Sequence, residues 1–154
     1  SAIHLSVSKD NQSWQDLGPV MSGNFHFWDE LIGSGPPPIK TKSGWLHLYH
    51  GVATHFQSTN IYQAGAVLLG LDDPAKVLGR TSENILEPRE TWELTGQVPN
   101  VVFPSGATVS HTDDEGFASD GAILRVYYGA ADTVVAMAQN TVGNIIASCG
   151  VLSS

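Results

Sequence analysis

Hydrophobic and polar residues follow the two-residue period of strands along most of the chain, and no segment keeps an apolar stripe through three helical turns. In Gly44-Trp-Leu-His-Leu-Tyr-His-Gly51, Trp45, His47 and Tyr49 share one face while Leu46, Leu48 and His50 share the other, so Leu46 and Leu48 are expected to face the core. Residues 62–71 and 122–128 are apolar on both faces, the pattern of strands covered by packed sheets on either side. Sixteen glycines and eight prolines punctuate these runs. Asp72-Asp-Pro-Ala-Lys76 reads as a turn with a single helical turn. The pattern predicts an all-β chain.

A repeat organises the strands. Leu46-His-Leu-Tyr-His-Gly-Val-Ala matches Leu124-Arg-Val-Tyr-Tyr-Gly-Ala-Ala at an offset of 78 residues, keeping Leu, an aliphatic residue, Tyr and Gly in order. A Pro-containing strand and a tight turn precede each copy. Repeated antiparallel units of this kind are the mark of propeller blades, each burying its faces against its neighbours, and the repeat favours a propeller over an immunoglobulin-like sandwich. The expected organisation is a single partial β-propeller domain of two to three blades over residues 1–154. Residues 1–22 supply the outer strands of an incomplete blade, 33–95 form a blade, and 98–154 form a blade plus a C-terminal tail. The tail from Asn140 reads either as a final strand or as an edge cover. In the repeat, Tyr128 takes the place of His50, which suggests that both positions look into one channel. So few blades cannot close a ring, so the chain is expected to self-associate or to belong to something larger.

Composition narrows the partners. With 15 acidic and 7 basic side chains the formal charge is −8, which argues against nucleic acid and anionic membranes. The apolar runs are too short to cross a bilayer, and the first residues lack the layout of a signal peptide. The single Cys149 rules out an internal disulfide or a multi-cysteine zinc site, and a cytoplasmic location is expected.

Ordered motifs extend this reading. They run from Trp28-Asp-Glu-Leu-Ile-Gly-Ser-Gly-Pro-Pro-Pro-Ile-Lys-Thr41 and Gly44–Gly51 through Tyr62-Gln-Ala-Gly-Ala-Val-Leu-Leu69, Ile85-Leu-Glu-Pro88 and Val98-Pro-Asn-Val-Val-Phe-Pro104 to Tyr127-Tyr-Gly-Ala-Ala-Asp-Thr133. Together they resemble glycoside hydrolase family 130, the β-mannoside phosphorylases and related mannosidases. The resemblance implies a five-bladed propeller about twice this length. It also implies inverting cleavage of a β-mannosidic bond by inorganic phosphate as co-substrate, with no other cofactor. The family's catalytic Asp belongs to the N-terminal half and no segment here matches it, so no catalytic residue is assigned. The chain alone is expected to be inactive, since loss of a general acid removes about two to four orders of magnitude of rate.

The remaining candidates are binding residues. Phosphate needs cations and directed donors. Lys40, held behind the rigid Pro36-Pro-Pro38 segment, and His50, in the family-like Tyr-His-Gly motif, meet that need, with Tyr62 as a hydroxyl donor or an ordinary buried tyrosine. Asp132, at a strand end, is expected to accept from sugar hydroxyls, with a turn-forming Asp as the alternative. Asp29 beside Trp28 fits the same role, with a loop Asp and a core Trp as the alternative. The tips bearing Lys40, His50 and Asp132 are expected to converge on a central hollow. Gly33-Ser-Gly35 lacks the strand and helix of a nucleotide loop. His47, His50 and His55 do not form a zinc set, because His47 and His50 point to opposite faces. Ser34, Ser43 and Ser105 show no nucleophile elbow. Two functions remain open: the phosphate- and sugar-binding half of a mannoside phosphorylase, needing an N-terminal half, and a non-catalytic carbohydrate-binding or structural module that oligomerises through blade edges.

Overall fold

A computed structural model describes residues 1–54 and 59–150. His55 lies outside the described residues, as does the end of the C-terminal tail. Among the described residues the chain forms three antiparallel sheets. β1 (Ala2–Val7) and β2 (Gln15–Ser22) make a hairpin. The second sheet runs β3 (Leu31–Ser34), β5 (Gly44–Ala53), β6 (Ile61–Leu69) and β7 (Val77–Arg80), with β4 (Ile39–Thr41) also lying on β5. β8 (Val102–Val109), β9 (Ile123–Ala130) and β10 (Val134–Thr141) make the third. Two short helices, α1 (Thr91–Leu94) and α2 (Val142–Ser148), complete the described elements. No helix among the described residues is long and apolar enough to cross a membrane.

β3 and β4 are two halves of one edge strand. Leu31 to Ser34 pair with Val52 to Tyr49, and Ile39 to Thr41 pair with Leu46 to Gly44. The Gly35 amide donates to the Leu48 carbonyl, after which Pro36, Pro37 and Pro38 have no N–H to offer and the ladder breaks. The second sheet is thus a four-stranded blade with an interrupted edge. The repeated motif occupies the same place in both larger sheets: β5 and β9 are each flanked by their sequence neighbours.

Leu46, Leu48 and Leu124 are buried in one cluster between the two larger sheets, as the alternation predicts. The opposite face of β5 is equally buried: Tyr49 is fully enclosed with Met21, Trp28, Ile32 and Val67 under the hairpin. The alternation thus sorts the residues of β5 between two cores. The tail is neither of the simple alternatives alone. β10 ends at Thr141, whose hydroxyl accepts from the Asn144 amide and caps α2. Val142, Ile145 and Cys149 then close the main cluster where a fourth strand would stand. The turn at residues 72–76 closes through the Lys76 amide and the Asp73 carbonyl.

Candidate functional site

β5 and β6, β8, and the β9–β10 turn all reach the same end of the molecule. Val52 pairs with both Leu31 and Tyr62. The Tyr62 amide donates to Asn100 O, and Tyr62 bridges Val101. There Tyr62, Val98, Val101, Phe103 and Asp132 line a cavity of about 420 Å³. The His50 ring packs against Phe103, centroids 4.4 Å apart, and lies 6.1 Å from the Tyr62 ring. Three of the residues singled out from the sequence, His50, Tyr62 and Asp132, are therefore gathered around one aromatic wall. Phe103 stands in the sequence only as part of the motif at residues 98–104, because a Phe in an apolar run carries no signal of which sheet face stays open.

The walls are held by backbone ties. Glu93 is 2% exposed and accepts from the Arg89 and Glu90 amides and from the Tyr128 hydroxyl, the last at 2.6 Å. Burial acts most strongly on this carboxyl and would raise its pKa, yet these donors together hold it below its ordinary value. Val101 N donates to Glu93 O, Val98 N to Ala131 O, and Gln97 N to the Thr133 hydroxyl, lacing residues 95–101 to the turn that carries Asp132. Asn100, Ala131 and Asp132 all have positive φ, at 63°, 46° and 49°. Such conformations cost energy for non-glycine residues and persist where the surroundings fix them. Asp132 is thus both a turn residue and a cavity residue.

His50 owes its place to Gly33, its partner across β3. A Cβ at Gly33 would collide with the imidazole. Burial lowers the His50 pKa, and Nδ1 is buried without a partner. Burial thus favours the uncharged ring.

The other expected contacts lie elsewhere. Lys40 does not join the cavity. β4 sets it opposite Trp45, five residues before His50 on β5, or about 16 Å at the rise of a strand. The strand carries it away from the open end once the proline break is passed. Its ammonium donates to the Glu115 carbonyl at 3.1 Å and lies 4.1 Å from the Phe117 ring centre. Asp29 and Trp28 lie across β5 from His50, against Gly51. Asp29 is fully buried and accepts from Arg80 Nη2 at 2.5 Å, the Tyr49 hydroxyl at 3.0 Å and Asn24 Nδ2 at 3.1 Å. Burial pushes the Tyr49 hydroxyl up to about 12, keeping it a donor. Trp28 donates to Ser82 O and stacks on Tyr49. Tyr128, the repeat partner of His50, does not face the cavity but turns inward to Glu93, 4% exposed. Among the described residues no group of three or more His, Cys, Asp or Glu side chains is placed to hold a metal ion.

Consecutive antiparallel blades with a polar and aromatic cavity at one shared end define part of a β-propeller. Residues 1–150 match the family model described as beta-1,4-mannooligosaccharide phosphorylase, and the chain belongs to this family, glycoside hydrolase family 130. It is 42% identical over 137 residues to a 1,2-beta-oligomannan phosphorylase of Thermoanaerobacter sp. (strain X514), covering 88% of this chain and 42% of that protein. It is 38% identical over 147 residues to a beta-1,4-mannooligosaccharide phosphorylase of Ruminococcus albus, covering 94% of this chain and 40% of the other. The structure of a beta-1,2-mannobiose phosphorylase from Listeria innocua, solved with beta-1,2-mannobiose, superposes with a TM-score of 0.82 at 37% identity, over 96% of this chain and 38% of that one. The chain is part of a five-bladed propeller and spans about two fifths of the length of these relatives.

Proposed function

We propose that this chain is the phosphate- and sugar-binding portion of an inverting β-mannoside phosphorylase, acting on mannooligosaccharides with inorganic phosphate as co-substrate. The observation that carries the reading is the cavity at the shared end of the two larger sheets, lined by Tyr62, Phe103 and Asp132, with the His50 ring packed against Phe103. The His50 Nε2–H and the Tyr62 hydroxyl donate to phosphate oxygens, and the Asp132 carboxylate accepts from sugar hydroxyls. Asp29, Trp28 and Arg80 hold β5 from its other face. The general acid comes from the part of the relatives' length that this chain does not span, so these residues bind and orient without completing the bond cleavage. The buried free thiol of Cys149 suits a reducing, cytoplasmic setting.

Calorimetry with inorganic phosphate tests the reading. His50→Ala should weaken phosphate binding about tenfold, the scale of one lost charge-assisted hydrogen bond. Unchanged affinity removes His50 from the site and the phosphate reading with it.

A second reading is favoured by the outer face of the third sheet. Tyr127, Val135 and Met137 lie there at 39%, 77% and 47% exposure. An apolar face of this kind supports a module that associates through its blade faces.

A further inference from the structure

The loop between β2 and β3 presents Phe25 at 80% and Phe27 at 44% exposure, with His26 between them. No mobile tip explains this exposure, because the loop is closed by backbone bonds. Asn24 N donates to Asp29 O at 3.0 Å, Phe27 N to Asn24 O at 3.1 Å and Glu30 N to Phe27 O at 3.2 Å. The Asn24 side chain adds a bond to the buried Asp29 carboxylate, which Arg80 holds in turn. His26 is kept at a φ of 60°, and its ring lies 3.8 Å from that of Phe25. A strained residue set against an exposed ring, on a loop fixed to a buried ion pair, is a rigid aromatic presentation.

The loop also shares the end of the molecule that carries the cavity. Glu30 accepts from the Thr54 hydroxyl at the end of β5. Leu31, one residue on, is aligned with Val52 and through it with Tyr62. Two strand spacings, about 10 Å, separate the start of β3 from the cavity wall.

We infer that Phe25, with Phe27 beside it, is an outer carbohydrate contact that packs against the C–H face of a sugar unit distant from the phosphate position, selecting longer β-mannooligosaccharides over short ones. The inference rests on the proposed carbohydrate function. An exposed, pre-positioned ring loses little conformational freedom on binding and offers apolar area without a charge.

Titration of this chain with linear β-1,4-mannotetraose, with mannose and with inorganic phosphate tests it. Phe25→Ala is expected to weaken tetrasaccharide binding about tenfold, the effect of truncating one central aromatic contact, while leaving mannose and phosphate binding unchanged. Phe25→Trp is expected to restore the tetrasaccharide affinity. The inference is overturned if Phe25→Ala binds the tetrasaccharide like the unaltered chain, if mannose and phosphate binding fall in parallel with it, or if the unaltered chain does not bind the tetrasaccharide. If His50→Ala keeps its phosphate affinity while Phe25→Ala still loses the tetrasaccharide, the phosphate assignment falls and this one stands.

Discussion

His50 and His47 sit three residues apart on one strand and face opposite cores. Each is held neutral by burial, which lowers its pKa from the ordinary 6.5. His47 accepts from or donates to the Ser34 hydroxyl at 3.0 Å under the β1–β2 hairpin. Because the folded pKa values are depressed, the unfolded chain takes up protons first as the pH falls below about 6.5, and stability present above that value is lost on the way down. Urea midpoints should therefore drop between about pH 7 and pH 5, and His47→Gln should flatten the slope. A slope unchanged in that variant would remove His47 as a contributor. Gly33 tests His50 from the other side. Gly33→Ala drives a methyl group into the imidazole, so it should destabilise by about 1–3 kcal/mol and weaken phosphate binding together, read by denaturation and calorimetry. Phosphate affinity equal to the unaltered chain would show that the ring's seat on Gly33 is irrelevant to the site.

Among the elements, α1 spans only four residues, and its Glu93 carries more than the helix. The carboxylate caps two amides at the helix start and takes the buried Tyr128 hydroxyl, while the Glu93 carbonyl receives the Val101 amide. Burial, with Glu93 as hydrogen-bond partner, pushes the Tyr128 pKa up to about 12. Glu93→Ala leaves that hydroxyl buried without a partner, at a cost of about 1–3 kcal/mol. Amide hydrogen exchange should then quicken at Val98 and Val101 before it does in β5, because these two residues depend on the same ties. Equal protection in both forms would separate α1 from the cavity wall. The interrupted strand β3–β4 shows the opposite lesson: the sequence suggests prolines that hold Lys40 toward the anion, whereas in the fold they end one run of pairing and let the next run lead away from the site.

At the scale of the molecule, two blades and a hairpin leave the row of Tyr127, Val135 and Met137 facing outward. A face this apolar gains by being covered, either by further blades of a relative-length propeller or by another copy. Sedimentation of the chain at micromolar concentration should give a dimer or larger species, with Val135→Asp shifting it toward monomer. A compact monomer would overturn the associating-module reading.

The order of residues alone determined the strands, their repeat and the family, because alternation, glycine and proline placement and dense motifs are local properties. It also marked His50, Tyr62 and Asp132, whose types suit anion and sugar chemistry. Tertiary structure alone decided which of the marked residues meet. Strand direction and register separate Lys40 from His50, the opposite face of β5 buries Asp29 against Arg80, and the crossing of β6, β8 and the β9–β10 turn brings Phe103 to the cavity. Convergence depends on how sheets pack, and no spacing along a single strand encodes it.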